Sequence, residues 1–353
     1  MNSPHVPPLC VGRSPPRAPI SPWGGLAAKR LLPANLPLLL YGVVALMALV
    51  LVPMFLGGQW VQILTSTACF ALAAAGVGFM YSRLGMVSLA QVGLMGVGGW
   101  VMLRMNHGFN LPFEVNLAVA ATVTMVFGWV MALPALRMRG LYLALITLMA
   151  ASGLEIVFST FRFPNGGEGF WGVMPSLIAP FRRPWLATGD EAYLRYTVVM
   201  LVVGFLLIEA HRRTAPGRAW AMIRRSEAAA MASGVNVVYY KAWAFGLSGL
   251  LAGMAGGLLA GTLGLLDPAT FRASESIMLF ALAVVGGARQ WLGAVLAAVL
   301  YRVLPGLFNN WGWDADLTLV IFGAALLHAL MTAPDGLAGQ LLGLGRRKER
   351  NAT

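Results

Sequence analysis

The sequence has 353 residues, of which 58% are hydrophobic and only 11% are charged, and its formal net charge is +12. A chain with this composition has too few polar side chains to cover the surface of a water-soluble domain. The composition therefore excludes a water-soluble domain and indicates a polytopic membrane protein. The two cysteines, Cys10 and Cys69, are too few and too badly placed for a disulfide framework or a thiolate metal site.

Residues 1–35 are rich in proline and carry basic but no acidic residues. They lack the apolar core of a cleaved signal peptide, so we predict a disordered cytoplasmic tail. Eight apolar segments follow, and most are long enough, at about 1.5 Å per residue, to cross a hydrocarbon core of about 30 Å. The segments are 36–56, 61–81, 87–103, 117–136, 141–161, 196–210, 242–266 and 317–331.

A further apolar stretch, 277–304, is broken in its middle by Gly286-Gly287-Ala288-Arg289-Gln290. Alternating the segments from a cytoplasmic N-terminus places the short arginine-rich loops on the cytoplasmic side. Either two short crossings or one re-entrant hairpin in this stretch keeps the basic tail 334–353 in the cytoplasm as well. We therefore predict an all-α bundle of eight to ten transmembrane helices over residues 36–333, with both chain termini cytoplasmic.

The basic residues gather at the two ends of the chain and between apolar segments rather than along a stripe interleaved with aromatic residues. Membrane topology explains this distribution better than nucleic acid does. We therefore expect membrane lipid, and no nucleic acid, among the partners of the chain.

Four glycines recur at every fourth position of the segment 242–266. Small residues at this spacing let the backbone of another membrane helix approach closely, so the segment is predicted to be a packing helix. Two interpretations stay open, a ridge that transmits motion and a ridge that only packs. The glycines are Gly249, Gly253, Gly257 and Gly261.

The loop 211–241 is predicted to contain one amphipathic helix, with Thr214 as its N-cap, Pro216 in its first turn and Gly234 at its end. A projection at 100° per residue places an apolar stripe on one face, with Glu227 in its middle, and points two arginines the other way. A carboxylate in that position needs a partner. The stripe consists of Trp220, Ile223, Ala230 and Met231, and the arginines are Arg218 and Arg225.

Short motifs in this loop stand in a recognisable order: Gly217-Arg218-Ala219, Ile223-Arg224, Ser226-Glu227-Ala228-Ala229, Gly234-Val235-Asn236, Lys241 and Ala244-Phe245. In this order and spacing the loop resembles the cytoplasmic coupling loop of permease subunits of bacterial ABC importers, specifically the LivM-type members of the branched-chain amino acid permease family. The alternative is an interfacial helix that touches lipid headgroups.

The resemblance implies that the loop docks on an ATPase subunit and passes its nucleotide-driven closure to the membrane helices. The residues implied in coupling are Gly217, Arg218, Arg224, Glu227, Ala228, Ala229 and Gly234. Replacing Glu227 by alanine is accordingly expected to uncouple transport.

Further matches extend the resemblance over residues 60–340, with departures that leave the substrate open. The segment with Gly85, Ser88, Leu89 and Gln91 is similar to the family's GQxSLGH/Q motif but has Ala90 where glycine is usual. Other matches are Leu136–Tyr142 with Thr147, Asn165–Gly169 with asparagine in place of the leading threonine, and Asp267-Pro268 through Phe271 to Gly286-Gly287, which lacks the later Gly-Pro.

Polar residues in apolar segments are the candidates for the transport pathway: Ser88, Gln91, Thr147 and Glu155. Glu155 lies within an otherwise apolar segment, where a charge is costly unless it is paired or faces water. A substrate ammonium and the side chain of Arg162 are its two candidate partners.

The sequence contains no Gly-x4-Gly-Lys-Ser/Thr phosphate loop and no zinc or hydrolase motif. We therefore expect no enzyme activity and no cofactor bound by this chain, with ATP and Mg²⁺ on separate subunits.

The resemblance implies a permease in the bacterial cytoplasmic membrane that works with a second permease, two ATPase subunits and an extracytoplasmic binding protein. Its solute would be a branched-chain amino acid or another amino acid, amide or urea. The alternative is a stand-alone, ion-coupled secondary transporter that uses Glu155 or His328 as a proton site.

Overall fold

The computed structural model of the chain describes residues 58–109, 111–135, 140–166 and 181–310, with a few single positions between 138 and 338. Regular secondary structure in these residues is helical throughout. The apolar segments 36–56 and 317–331 and the tails 1–35 and 334–353 lie wholly or almost wholly outside the described residues.

Eleven α-helices are formed by the described residues, and the longest of them follow the predicted apolar segments. The helices are α1 Gly58–Leu84, α2 Gln91–Gly108, α3 Phe113–Ala135, α4 Leu141–Phe161, α5 Asp190–Arg213, α6 Ala215–Arg225, α7 Glu227–Ala232, α8 Val237–Leu263, α9 Ala273–Gly287, α10 Trp291–Ala298 and α11 Leu304–Asn310. A 3-10 turn, Pro268–Phe271, precedes α9, and a π-helical turn, Val299–Val303, joins α10 to α11.

Six stretches of the described residues are long and apolar enough to cross a membrane. They are Gly58–Leu84, Phe113–Pro134, Leu141–Phe161, Asp190–Arg213, Val237–Leu263 and Trp291–Phe308, and α9 is a shorter apolar helix. Helices satisfy their own backbone hydrogen bonds, which the hydrocarbon core requires. The protein is therefore an all-α polytopic membrane bundle, as predicted.

Helices α1 and α8 form the centre of the bundle. The apolar windows of these helices are 89% and 94% buried, whereas those of the other four spans are 28% to 39% buried. Helix α8 packs against α1, α2 and α3. The exposed faces of the outer spans carry large apolar side chains, among them Leu133, Leu141, Met149 and Ile156, so these faces are suited to lipid or to another membrane chain.

The first two glycines of the α8 series lie against α3 at very short range. A methyl group at Gly253 would lie 2.7 Å from the Thr124 Cβ atom and 2.9 Å from the Ala120 carbonyl oxygen. A methyl group at Gly249 would lie 2.6 Å from the Thr124 carbonyl oxygen. Only glycine allows this approach, since real side-chain carbons do not come so close.

The remaining glycines of the series lie against side chains of neighbouring helices. A methyl group at Gly257 would lie 2.7 Å from Leu117 on α3, and one at Gly261 would overlap the hydroxyl group of Tyr193 on α5. Gly256, which is outside the predicted series, lies directly against the backbone of α2. Helix α8 therefore touches three neighbours through its glycines.

The predicted break in 277–304 is confirmed, because α9 ends at Gly287 and α10 begins at Trp291. Helix α9 starts beside Glu155, near the last turn of α4. Its far end leads into Arg289, which lines a small cavity with Arg83 and Arg212 at the ends of α1 and α5. Helix α9 is an apolar helix shorter than the six candidate spans, so the choice between two crossings and a re-entrant hairpin stays a prediction.

Replacing Gly253 by alanine is expected to destabilise the bundle, because the new methyl group overlaps α3. Overpacking of this kind costs about 1–3 kcal/mol, so the midpoint of thermal unfolding in detergent should fall by about 3 °C or more. The control is Gly153→Ala on α4, where a Cβ meets nothing within 4 Å. Equal midpoints for the two variants would contradict the packing role of Gly253.

Candidate functional site

The loop between α5 and α8 forms two helices, α6 and α7, and the single helix predicted for it is wrong. The helix breaks at Ser226, whose backbone is extended with φ −163° and ψ 120°. The Ser226 side chain accepts a hydrogen bond from the Ala229 amide at 3.3 Å and caps α7. A capping residue does not have helical dihedrals, so α6 must end there. Serine followed by Glu227 in the first turn is the signal that could have shown the break.

The break also changes which side chains of the loop are buried. Of the four residues placed on one apolar face, Trp220, Ile223 and Ala230 are buried, whereas Met231 is 56% exposed, so the four do not form a single buried face. The indole nitrogen of Trp220 donates to the Tyr240 carbonyl oxygen at 2.8 Å. The loop is therefore packed onto the bundle mainly through Trp220 and Ile223 of α6.

The predicted ends of the loop helix are partly right. Thr214 precedes α6, but its hydroxyl donates to the His211 carbonyl oxygen at 3.0 Å and caps no amide of α6. Pro216 lies in the first turn of α6. Gly234 has φ +79° after the end of α7, a conformation that favours glycine.

Glu227 has its partner within the chain. The Lys241 ammonium lies 2.6 Å from Glu227 Oε1, and the two side chains are 5% and 23% exposed. Lys241 belongs to α8, so this ion pair ties α7 to the central helix. A pair this far from water must stay matched, because a buried charge that has lost its partner is costly.

Two more of the predicted coupling residues hold the loop in place. The Arg224 guanidinium donates to the Tyr81 carbonyl oxygen of α1 at 3.0 Å. A side chain at Gly217 would overlap the Arg212 carbonyl group at the end of α5. Arg224 and Glu227 thus attach the loop to α1 and α8, and the missing side chain of Gly217 leaves room for the end of α5.

The other predicted coupling residues, Arg218, Ala228, Ala229 and Gly234, are exposed. Met222 and Met231 are also exposed, at 39% and 56%. We call the set of Arg218, Met222, Arg225, Ala228, Ala229 and Met231 the α6–α7 surface. Small and flexible apolar side chains rimmed by arginines, outside the spanning segments, are typical of a surface that binds another protein.

The pathway candidate Ser88 does not lie in a helix. The segment 87–103 was predicted to be helical throughout, but α2 begins only at Gln91 and residues 85–90 are non-helical, so the predicted start is wrong. Ser88 is buried in this non-helical segment. The next residue, Leu89, donates its amide to the Thr147 hydroxyl at 2.9 Å, and that bond holds the segment on α4.

Gln91 joins three helices of the core. Its Nε2 donates to the carbonyl oxygens of Ala73 on α1 and Ser248 on α8, both at 3.2 Å. Its Oε1 accepts from the Ser248 hydroxyl at 2.9 Å. Gln91 and Thr147 are 1% and 0% exposed. One buried region therefore contains Ser88, Gln91 and Thr147. Ser248, which is not among the residues predicted from the sequence, lies in the same region because it is bonded to Gln91.

Glu155 lies apart from that neighbourhood, two turns further along α4. Its Oε2 accepts from the amide of Ala273, the first residue of α9, at 2.9 Å. The ion pairs among the described residues do not include one between Glu155 and Arg162. Both residues line an open cavity of about 710 Å³ at the end of the bundle opposite the α6–α7 surface.

The remaining family motifs are only partly described. Residues 136–137, 139 and 167–169 lie outside the described residues. Asn165 binds both backbone groups of Leu266 through its side-chain amide, each at 3.0 Å. Asp267 accepts from the Ala269 amide at 2.9 Å and starts the 3-10 turn before α9. These two motif residues shape the wall of the cavity that contains Glu155.

A helical membrane bundle with an exposed helical loop outside its spans, bonded to its central helices, is an arrangement expected of the membrane component of a transport system. The family described as "branched-chain amino acid transport system / permease component" matches residues 59–330. The chain belongs to this family and is a permease component of the ABC transporter type. The alternative of a stand-alone secondary transporter is therefore wrong.

Three relatives show the range of similarity. The permease protein LivM of the high-affinity branched-chain amino acid transport system of Salmonella typhimurium is 27% identical over 320 residues, 83% of this chain and 74% of the relative. The LivH permease protein of the same kind of system in Escherichia coli is 24% identical over 294 residues, 78% of this chain and 93% of the relative. The fructose import permease protein FrcC of Rhizobium meliloti is 26% identical over 147 residues, 40% and 41% of the two chains. No solved structure matches the chain.

Replacing Glu227 by alanine should destabilise the protein by an amount on the order of 2 kcal/mol, because it leaves the Lys241 ammonium buried without this carboxylate. Adding Lys241→Met should recover part of that loss, since the stranded charge is then gone. Thermal unfolding of both single variants and the double variant measures the coupling. Strictly additive effects would show that the ion pair contributes nothing to stability.

Proposed function

We propose that the chain is the permease subunit of an ABC importer and that ATPase subunits dock on the α6–α7 surface. One observation carries this proposal: the surface is exposed outside the spans, yet its helices are bonded directly to the bundle. The order of the motif residues in this loop resembles that of coupling loops, and this resemblance is the reason for proposing ATPase subunits as the partner.

The attachment points define how docking would move the bundle. Arg224 binds the backbone of α1, and Glu227 and Trp220 bind α8 through Lys241 and the Tyr240 carbonyl oxygen. Helices α1 and α8 are the two most buried spans. A displacement of α6 and α7 by closing ATPases would therefore act on the centre of the bundle. Transport requires that these contacts differ between outward-facing and inward-facing states.

The proposed function also implies which other subunits form the transporter. A second permease would cover part of the apolar outer faces, and both the LivM and the LivH permeases of one kind of transport system resemble this chain. Two ATPase subunits would hold the ATP and Mg²⁺. The α6–α7 surface and both termini would be cytoplasmic in a bacterial inner membrane, and an extracytoplasmic binding protein would deliver solute at the opposite end.

We propose a branched-chain or closely related amino acid as the solute. LivM and LivH are named for branched-chain amino acid transport, and their matches cover 83% and 78% of this chain. The fructose permease matches only 40% of it. Purifying the tagged chain from its native membrane with its partners, followed by uptake of labelled leucine, isoleucine and valine in proteoliposomes with ATP, tests the whole proposal.

Replacing Ala229 by tryptophan should abolish co-purification of the ATPase subunits and uptake, because a large side chain in the middle of the α6–α7 surface prevents close docking. Ala229 is exposed, so the fold should survive. The matched control is Ala118→Trp on an exposed face of α3 near the opposite end, which should retain the ATPases. Normal uptake by Ala229→Trp would contradict the docking assignment.

A further inference from the structure

The cavity at the end of α4 carries charges of both signs. Its charged residues are Glu155, Arg162, Asp267 and Arg272, two acids and two bases, and its apolar wall includes Leu265, Pro268 and Ala269. A site for a simple cation or anion would carry an excess of one sign. A balanced set beside an apolar wall suits a molecule that has a positive group, a negative group and an aliphatic part.

Glu155 is held with one carboxylate oxygen available to a ligand. Its Oε2 accepts from the Ala273 amide at 2.9 Å, and among the described residues Oε1 has no hydrogen-bond partner. The side chain is half-buried. A carboxylate that is fixed in orientation and partly removed from water binds an ammonium group through short, charge-assisted hydrogen bonds.

Arg162 has a backbone conformation that costs free energy. Its φ is +55°, and among the described residues no other residue besides glycine has a positive φ. Its amide donates to the Phe158 carbonyl oxygen at 2.8 Å, and its carbonyl oxygen accepts from the Trp100 indole at 3.2 Å. Strain of this kind, about 1–3 kcal/mol, is found preferentially at binding and active sites.

The two residues line the same cavity from nearby positions in the chain. Glu155 lies in α4, and Arg162 follows the last residue of that helix in a non-helical conformation with φ +55° and ψ 177°. Arg162 is exposed, so its guanidinium is accessible to a ligand in the cavity. Its planar fork matches a carboxylate in a bidentate arrangement.

We propose that this cavity binds the zwitterionic backbone of an amino acid during transport, with the ammonium on Glu155 and the carboxylate on Arg162. The aliphatic side chain lies against Leu265 and Pro268. This inference rests on the proposed function, because it assigns that function's substrate class to a site on the permease itself rather than to the binding protein alone.

A purely structural role for Glu155 is the competing explanation, since its carboxylate sits at the N-terminus of α9, where a negative charge is stabilising. Glu155→Gln separates the two roles, because glutamine keeps an oxygen that accepts from the Ala273 amide but loses the charge. Arg162→Asn is the corresponding change at the second residue, since asparagine tolerates a positive φ better than most side chains.

The test uses the tagged chain with its co-purified subunits in proteoliposomes, with ATP and the binding protein present. Uptake of a labelled panel of aliphatic amino acids and ATP hydrolysis are measured together. Glu155→Gln and Arg162→Asn should each lower uptake at least tenfold while ATP hydrolysis changes less than twofold. The controls Glu191→Gln and Arg195→Asn remove a weak, exposed ion pair of 3.9 Å at the same end, outside the cavity, and should leave uptake unchanged.

The outcomes are distinguishable. Unchanged uptake by both cavity variants overturns the site and leaves the importer function standing. A parallel loss of uptake and ATP hydrolysis shows that the residues are structural and also overturns the site. A wild-type complex that contains ATPases but takes up no amino acid of the panel overturns the zwitterion assignment, and a chain that purifies without ATPases overturns the proposed function itself.

Discussion

The close backbone contact of α8 with its neighbours is the constraint on which the rest of the structure depends. In lipid there is little hydrophobic driving force between helices, so their association relies on tight packing and hydrogen bonds. Glycines supply that packing along α8, against α3 at Gly249 and Gly253 and against α2 at Gly256. A helix held this closely on several sides is a rigid element, and its buried fraction of 94% agrees with that role.

Two polar residues of α8, about two turns apart along the helix, connect it to different parts of the chain. Lys241, near its first turns, binds Glu227 of α7, and Ser248, two turns further on, binds Gln91 of α2. Unpaired, each of these groups would be costly in an apolar environment. Because Lys241 and Ser248 each need a polar partner, the first determines where α7 is attached to α8, and the second determines how α8 is aligned with α2.

Hydropathy located the spans well, since the apolar length needed to cross lipid is a local property of the sequence. The predicted segment 141–161 coincides with α4, and the glycine-rich break after Gly286 separates α9 from α10. The predicted helix boundaries were wrong at positions where contacts between distant parts of the chain determine the structure. Ser226 caps α7 instead of continuing α6, and residues 85–90 stay non-helical while Leu89 binds the Thr147 hydroxyl on α4. The partner of Glu155 is a backbone amide 118 residues away, which no periodicity could indicate.

The two ends of the molecule are joined by a continuous set of hydrogen bonds that meets at the start of α2. Gln91 is bonded to α8, the Leu89 amide to Thr147 on α4, and the Val92 amide to Ser276 on α9. Helices α4 and α9 are in turn joined by the hydrogen bond between the Ala273 amide and Glu155, which lines the cavity at the end of α4. A movement of α8 imposed at the α6–α7 surface would therefore have a hydrogen-bonded path through α2 to both α4 and α9. Continuity alone does not make a coupling route, because coupling also requires bonds that differ between two states. The non-helical residues 85–90 are the best placed to differ, since their helical hydrogen bonds are confined to the Gly85 amide and the Ala90 carbonyl oxygen at the two ends of the segment. Between these ends, the Leu89 amide ties the segment to the Thr147 hydroxyl on α4.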